Sequence, residues 1–141
     1  MNRITQIIGQ IHRLDFQYRA AKFEPLGLKA CQGKYLKIIC ENPGICQEEL
    51  TGHMTVNKSN IARQVAVLEE SGFVERRGCS KDKRKIRLYP TEKTLSLKHE
   101  ILDVLESWQA HLTQDISEEE SQLLEDLLNR ILLRAREESE D

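Results

Sequence analysis

Apolar residues recur at helical spacing along the first forty residues of this chain. The first stripe predicts one amphipathic helix from residue 2 to about residue 23, which Pro25 and Gly27 then end. Its members are Ile4, Ile7, Ile8, Ile11, Leu14 and Tyr18. A second stripe predicts a shorter helix, and the Asn42-Pro43-Gly44 turn stops it. Its members are Gln32, Tyr35, Leu36 and Ile39.

The central part of the chain has the pattern of two further helices and two strands. A short helix is expected over about residues 46–53, followed by a turn over residues 53–56. The next helix starts at Lys58, where Asn57 can cap it, and ends at Gly72, which can take the left-handed conformation. Its apolar positions are Ile61, Val65 and Leu68. Two short strands, residues 73–77 and 85–89, then form a hairpin.

Two long helices are predicted for the C-terminal part. Thr91 can cap the first of them, and Ser117 with Glu120 forms a capping box that opens the second. The first carries Leu95, Leu97, Ile101, Leu102, Leu105, Trp108 and Leu112. The second carries Leu123, Leu124, Leu127, Leu128, Ile131 and Leu132.

The order of these elements gives a mainly α fold with a small β hairpin. Three helices followed by a hairpin describe a winged helix-turn-helix, here with one helix before it and two after it. A domain of this size cannot cover all the apolar residues on the first and last helices. The uncovered stripes at both ends suggest that two copies of the chain share an intertwined interface.

Composition fits one domain, or one compact unit with a helical extension, for 141 residues that are 39% hydrophobic and 31% charged. No apolar run approaches the roughly 20 residues that a membrane helix needs. Gln, His and Arg interrupt the N-terminal apolar stretch, which is unlike a signal peptide. We therefore expect a cytoplasmic protein without a membrane partner. Its cysteines, which form no CxxC pair and are expected to be reduced, are Cys31, Cys40, Cys46 and Cys79.

Charge is strongly segregated although the whole chain is mildly acidic, with 21 Lys and Arg against 23 Asp and Glu. Residues 55–90 hold nine basic and four acidic side chains, whereas residues 100–141 hold three basic and 13 acidic ones. The segment RRGCSKDKRKIRLYP, residues 76–90, has seven basic residues, and Asp82 is its single acid. Such a distribution suits an anionic partner that approaches from one side.

The helix that begins at Lys58 can present polar side chains to such a partner. If Ile61, Val65 and Leu68 face the core, a rotation of about 100° per residue turns another set outward. That outward set is Ser59, Asn60, Arg63 and Ala66. Asn can pair with adenine, Arg with guanine and Ser with a base or a phosphate, so this face is suited to the major groove of DNA. The hairpin would place a positive tip beside it, at the phosphates of the neighbouring minor groove.

Residues 28–94 resemble the DNA-binding core of MarR-type regulators. The run QEELTGHMTVNKSNIARQVAVLEESGFVERR is similar to the helix-turn-helix pattern of that family without a gap. Asp82-Lys83-Arg84, with Leu88 and Thr91 beyond it, matches the D-x-R motif of the family's hairpin and the end of its second strand. The resemblance implies a homodimeric transcription factor that binds a pseudo-palindromic operator in double-stranded DNA. Such a factor commonly represses transcription until a small-molecule effector or an oxidant releases it from the operator.

The resemblance also implies a domain division and a set of contact residues. Residues 1–27 would form an N-terminal dimerisation helix, residues 28–91 the winged helix-turn-helix lobe, and residues 92–141 the C-terminal dimerisation helices. Arg84 would be the wing arginine that enters the minor groove, held in position by a charge-assisted hydrogen bond that it donates to Asp82. The recognition-helix residues would be Lys58, Ser59, Asn60 and Arg63. The wing residues would be Lys81, Asp82, Lys83, Arg84 and Lys85.

Three positions depart from the family pattern. Thr55 stands where the turn usually has Gly, Lys29 stands where a capping Thr is usual, and Pro90 stands where Leu is usual. A β-branched residue is poorly suited to positive φ, so the turn at residue 55 is expected to differ in shape. Pro90 lacks a ladder donor, which predicts the end of an edge strand.

The switch that would control such a regulator has several candidates. Cys79 is the best redox candidate, because the basic hairpin around it favours the thiolate. Cys40 and Cys46 flank a turn and could approach each other. Side chains that could line an effector space, although core positions are the commoner role for such residues, are His12, Tyr18, Tyr35 and Trp108. Zinc ligands could come from Glu24, Cys31, Glu41 and His111, but no second His lies one turn from His111, so no metal site and no cofactor is assigned.

Three other readings of the sequence stand beside the proposed DNA-binding regulator. An enzyme is not expected, because the chain has no Gly-rich phosphate loop, no HExxH motif and no paired carboxylates in a credible pocket. A winged helix used only to bind proteins is the stronger competitor. A zinc-sensing regulator of the same fold is the third reading. A basic wing beside a polar recognition face favours the DNA-binding regulator.

Overall fold

The computed structural model describes residues 2–54, 56–78, 81 and 84–138. The α-helices of these residues are α1 (Ile4–Phe23), α2 (Gln32–Glu41), α3 (Leu50–His53), α4 (Lys58–Glu70), α5 (Glu92–Leu112) and α6 (Glu118–Glu137). The strands are β1 (Ile45–Cys46), β2 (Val74–Gly78) and β3 (Ile86–Pro90). Short 3₁₀ helices lie at Glu24–Leu26 and Gln47–Glu49. The mainly α winged-helix fold with helices on both sides is confirmed.

The chain divides into two units, residues 1–105 and residues 106–141. The first unit holds α1 to α4, the sheet and the larger part of α5. The second holds the end of α5 and all of α6. The functional division after residues 27 and 91 stays a prediction.

Side-chain caps fix the starts of three helices where the sequence predicts them. The Asn57 side-chain oxygen accepts the Asn60 N–H at 2.8 Å and so starts α4. Thr91 Oγ1 accepts the Thr94 N–H at 3.3 Å at the start of α5. In α6, Ser117 and Glu120 form the reciprocal capping box. Each cap satisfies backbone N–H groups that have no partner within their helix.

The sheet has one strand more than the hairpin predicted from the sequence. Its order is β1-β3-β2, and all its pairs are antiparallel. Ile45 lies opposite Leu88, and Cys46 lies opposite Arg87. The prediction of a helix over residues 46–53 is therefore wrong in its first part, where β1 and a 3₁₀ helix precede α3. Strand pairing with β3 decides the conformation there, and a two-residue strand has no periodicity that a sequence could display.

Pro90 ends a strand, but β3 is the central strand rather than an edge strand. The Thr91 N–H donates to the Phe73 carbonyl of the neighbouring chain segment at 3.2 Å. Because alternate backbone nitrogens point to opposite sides of a strand, the nitrogen of Pro90 points toward the side of β1. The pairing with β1 extends only to Leu88, so the missing N–H of Pro90 interrupts no ladder.

The hydrophobic core lies in the first unit, between α2, α3, α4 and the inner face of the sheet. Side chains that are at most 1% exposed there include Leu36, Ile39, Leu50, Ile61, Val65, Leu68, Phe73 and Leu88. Phe23 at the end of α1 and Ile101 in α5 are members of the same core. The core therefore packs against α1 through its last residue, Phe23, and against the first half of α5 through Ile101.

The apolar stripes of α1 and α6 remain exposed in the single chain. On α1, Ile7, Ile11 and Leu14 are 48%, 51% and 54% exposed. On α6, Leu123, Leu124 and Leu128 are 58%, 46% and 41% exposed. Within the residues that the structure describes, no helix has the length and apolarity to cross a membrane.

Candidate nucleic-acid interface

Helix α4 separates a buried apolar face from an exposed polar face. Ile61, Val65 and Leu68 are buried in the core, as their spacing predicts. Lys58, Ser59, Arg63 and Ala66 are exposed, while Asn60 is half-buried. The polar and cationic side chains occupy the first two turns, whereas Glu69 and Glu70 occupy the last one. The N-terminal half of α4 is thus the half suited to a negatively charged partner.

Asn57 holds this N-terminal half in helical form, and its removal is the first testable change. We expect Asn57→Ala to lower the free energy of unfolding by about 1 kcal/mol, because the Asn60 N–H loses its acceptor. Asn57→Asp keeps an acceptor oxygen and should retain the stability. Urea unfolding followed by circular dichroism measures both variants. Equal midpoints for Asn57→Ala and wild type would contradict the role of the cap.

The loop between β2 and β3 presents cationic side chains. Lys81, Arg84 and Lys85 are all exposed. Asp82 and Lys83 lie outside the described residues, as does Cys79. The hydrogen bond proposed between Asp82 and Arg84 therefore stays a prediction.

A salt bridge connects the last turn of α4 to the first wing strand. Arg76 on β2 donates to Glu69 Oε1 from both Nε, at 3.1 Å, and Nη2, at 2.9 Å. The Arg76 side chain is 32% exposed and the Glu69 side chain 39%. The hydrogen bonds and positive charge of Arg76 hold the pKa of the Glu69 carboxyl below its usual value. Arg76 thus neutralises an acid on α4 and joins this helix to the wing.

The lowered pKa of Glu69 makes a prediction about acid stability. A carboxyl whose pKa is lower in the folded state stabilises the fold above its unfolded pKa of about 4.3, and loses that contribution as the pH falls. Glu69→Gln, which cannot ionise, should therefore lose less stability than wild type on going from neutral pH to about pH 3. Urea midpoints across this pH range measure the difference. Parallel profiles for the two proteins would contradict it.

The outer face of the sheet engages two more arginines of the basic segment. Arg77 donates to Glu75 from Nε and Nη2, both at 3.1 Å, and its guanidinium lies 4.3 Å from the centre of the Tyr89 ring. Arg87 Nη1 donates to the Gly44 carbonyl at 2.9 Å. These contacts tie β2, β3 and the turn before β1 together.

The basic residues of segment 76–90 that the structure describes fall into two groups. Arg76, Arg77 and Arg87 bind groups of the protein itself, whereas exposed cations lie in the loop at the tip of the wing. The sequence did not distinguish these groups, because their partners are other segments of the chain. The sequence does contain one indication of the Glu69–Arg76 contact. Gly72, whose φ is 83°, reverses the chain between these two residues.

The cysteines of the described residues are poorly suited to redox sensing. Cys40 and Cys46 are buried, and Cys31 is half-buried. Burial is the main cause that raises the pKa of the Cys40 thiol, which lowers its thiolate fraction. No disulfide joins them, since all three are free. The preferred redox candidate, Cys79, stays a prediction.

The residues considered for an effector or a metal occupy different environments. Tyr35 is 2% exposed in the core, and burial raises its pKa. His12 is exposed on α1. The rings of Trp108 and His111 stack with centroids 5.8 Å apart. Among the residues that the structure describes, no three His, Cys, Asp or Glu side chains are grouped so that they could hold a metal ion.

Comparison with known proteins agrees with this fold. The model of the MarR family matches residues 28–86. The protein named uncharacterized HTH-type transcriptional regulator YybA, from Bacillus subtilis (strain 168), is 38% identical over 93 residues. That match covers 66% of this chain and 62% of YybA, so the chain matches less than two thirds of this relative's length.

Solved structures match nearly the whole chain. The crystal structure of the transcriptional regulator SlyA is 32% identical, has a TM-score of 0.87 and covers 96% of each chain. A MarR family transcriptional regulator from Listeria monocytogenes, solved in complex with 26mer DNA, is 30% identical with a TM-score of 0.85. It covers 95% of this chain, which in turn covers 89% of it. These proteins are transcriptional regulators rather than enzymes, and the chain belongs to the MarR family.

Proposed function

We propose that this protein is a homodimeric regulator that binds a specific sequence of double-stranded DNA. The first two turns of α4 would enter the major groove, and the tip of the wing would follow the neighbouring minor groove. One observation carries the proposal: a face with exposed Ser59 and Arg63 and half-buried Asn60, on a helix whose last turn is joined to a cationic wing. The solved Listeria relative that contains a 26mer DNA supports it.

The side chains of α4 and the wing would divide the recognition between them. Arg63 would contact a guanine edge, Asn60 an adenine edge, and Ser59 or Lys58 a base or a phosphate. Lys81, Lys83 and Lys85 would contact phosphates. Arg84, aimed by Asp82, would enter the minor groove. Base contacts would set the sequence preference, and phosphate contacts would set much of the affinity.

A second copy of the chain would cover the exposed apolar stripes of α1 and α6. Large apolar side chains that are 36% to 61% exposed along α1 and α6 are unusual for the surface of a monomer. A twofold dimer carries two recognition helices, so its operator would be a pseudo-palindrome whose half-sites lie about one helical turn apart.

The regulatory outcome that we propose is repression in the cytoplasm, relieved by a small molecule or an oxidant. A dimer seated on an operator blocks other proteins from the same DNA. Oxidation would act on Cys79 in the wing, because Cys40 and Cys46 are buried. In the presence of an oxidant, the Cys79→Ser variant should then stay bound to the operator, whereas wild type would dissociate from it. Release of both proteins by a small molecule alone would assign the switch to an effector instead.

The test of DNA binding compares three arginine variants on operator fragments enriched from genomic DNA. Arg63→Ala should weaken binding by ~1–3 kcal/mol and relax the preference at one base position. Arg84→Ala should weaken binding to all sequences and reduce the salt slope by about 1. Arg130→Ala removes an exposed arginine from α6 and should leave affinity unchanged. Fluorescence anisotropy at several salt concentrations measures all three.

Two outcomes would contradict the proposal. Wild type that binds neither genomic nor random duplex DNA would favour a winged helix that binds proteins. Equal losses in Arg63→Ala, Arg84→Ala and Arg130→Ala would show only a general effect of charge.

A separate measurement adds zinc to the complex of wild type with DNA. Release of the DNA at micromolar zinc would support the zinc-sensing regulator.

A further inference from the structure

The turn between α4 and β2 is held by Thr91, which precedes α5, and by the first residues of α5. Three successive backbone carbonyls of this turn each accept a hydrogen bond from one of these side chains. Lys93 Nζ donates to Ser71 O at 3.1 Å, and Thr91 Oγ1 donates to Gly72 O at 2.7 Å. Thr94 Oγ1 donates to Phe73 O at 2.5 Å. We call these three donors and their three acceptors the α5 clamp.

The α5 clamp satisfies groups that a helix end normally leaves to water. The carbonyls of Ser71, Gly72 and Phe73 lie beyond Glu70, the last residue of α4, so they have no donor within that helix. Thr94 is completely buried, so its hydroxyl and the Phe73 carbonyl meet away from solvent. The buried Thr94 hydroxyl would lose its acceptor if the turn moved, and that cost makes this bond hard to exchange for another arrangement. The clamp therefore defines one geometry of the turn.

Packing strengthens the same connection. The ammonium group of Lys93 lies 4.1 Å from the centre of the Phe73 ring, at a distance typical of cation–π contact. Phe73 itself is 1% exposed and belongs to the core. The Thr91 N–H adds a backbone bond to the Phe73 carbonyl at 3.2 Å. The start of α5 thus contacts the turn through polar, cationic and backbone groups at once.

The turn held by the α5 clamp connects the proposed recognition helix to the wing. Helix α4 enters the turn and β2 leaves it, so its conformation sets the angle between the proposed recognition helix and the wing. The Arg76–Glu69 salt bridge is a second link between the same two elements. Helix α5 is 21 residues long and begins directly after Thr91. The α5 clamp therefore connects this long helix to the turn between α4, the proposed recognition helix, and β2, the first strand of the wing.

We propose that Thr94 and Lys93 are positioning residues for DNA binding, which hold the recognition helix and the wing at the angle that lets both reach one duplex. This proposal rests on the DNA-binding function proposed above. Neither residue needs to touch DNA for this role. Any displacement of α5 would reach α4 and β2 through the α5 clamp, which makes the clamp a route for control of DNA binding.

The experiment uses two pairs of variants in the full-length chain. Thr94→Val keeps the shape of the side chain and removes the donor, whereas Thr94→Ser keeps the hydroxyl. Lys93→Met keeps the stem on Phe73 and removes the charge, whereas Lys93→Arg keeps a cationic donor. Kd is measured on an enriched operator and on random duplex DNA over a range of salt concentrations. Each variant is measured well below its Tm, with folding checked by circular dichroism.

We expect Thr94→Val and Lys93→Met to weaken operator binding by about 2- to 30-fold, the range in which non-contacting residues modulate coupled sites. Thr94→Ser and Lys93→Arg should bind like wild type. Random-DNA binding and its salt slope should change little, because the phosphate-contacting side chains remain. The ratio of operator to random affinity should therefore fall, a result that loss of stability alone does not produce.

The outcomes separate the clamp from DNA binding itself. Operator and random affinities in both Thr94→Val and Lys93→Met that equal wild type, with only a lower Tm, would overturn the clamp and leave the proposed function intact. A reduced salt slope in Lys93→Met would make Lys93 a phosphate contact and also overturn its positioning role. Wild type without affinity for duplex DNA would overturn both proposals together. If Thr94→Val does not fold, the exposed Lys93→Met variant decides the question alone.

Discussion

Gly33→Ala is expected to lower the free energy of unfolding by about 2–3 kcal/mol. A Cβ at this position in α2 would lie 2.5 Å from Cε2 of Phe23 and closer still to Cζ. Phe23 is completely buried, so its ring cannot move into solvent. The added methyl group therefore forces either α2 or the end of α1 to shift. Urea unfolding measures the loss, which exceeds the stabilisation of up to about 1 kcal/mol that alanine usually gives in a helix.

Gly9 provides the matched control for this prediction. It is also a helical glycine, but a Cβ there meets nothing within 4 Å. Gly9→Ala should therefore keep or raise stability, since only the helix propensity of α1 changes. A second test combines Gly33→Ala with Phe23→Leu, which removes part of the ring. The double variant should be more stable than the sum of the two single losses predicts, because the two positions share one space. Simple additivity would contradict the contact.

The features of the fold that follow from local chemistry could be predicted from the sequence. Asn57, Thr91 and Ser117 cap the helices that their positions indicate. Gly27, Gly44 and Gly72 all have positive φ, which is the conformation that the turn at each of them requires. A cap or a turn depends on residues within about four positions, so a single sequence contains the whole cause.

Features that depend on distant segments could not be predicted in the same way. Strand β1 exists because it pairs with β3, and Arg87 reaches the Gly44 carbonyl across 43 positions in the chain. The donors of the α5 clamp lie about 20 residues from their acceptors, as Thr94 does from Phe73. Nothing in the local pattern of hydrophobic and polar residues records such pairs. Their positions appear only when the core brings α4, β2 and α5 together.

The candidate site divides along the same line. The outward face of α4 follows from helical rotation, and the structure places Ser59, Arg63 and Ala66 there. The basic segment looked uniform in sequence, yet Arg76, Arg77 and Arg87 have protein partners. These three arginines hold the wing in shape, and the exposed cations of the tip carry the proposed contact with DNA. A count of charges therefore overstates the number of residues available for DNA.

Leu127→Glu is expected to convert the proposed dimer into a monomer and to weaken operator binding by about 10²- to 10⁴-fold. The Leu127 side chain is 39% exposed in the single chain and lies in the apolar stripe of α6. Association of the Leu127→Glu variant would bury one carboxylate from each copy in this apolar stripe, and the cost of desolvating these charges would oppose dimerisation. A monomer engages one half-site at a time, so it loses the advantage of two linked contacts. Analytical ultracentrifugation measures the mass, and anisotropy on the operator measures Kd.

Asn129→Glu is the control that separates charge from burial in this prediction. Asn129 is exposed on α6, and the helical period turns it away from Leu124, Leu127 and Leu128. Both variants add one negative charge to the same helix, so both would change long-range repulsion from DNA by a similar amount. Only Leu127→Glu should dissociate the dimer, and its loss of operator affinity should therefore be much the larger. Equal sedimentation of wild type and Leu127→Glu at micromolar concentration would contradict α6 as a dimer interface. Equal loss of affinity in the two variants would assign the effect to charge rather than to the half-sites.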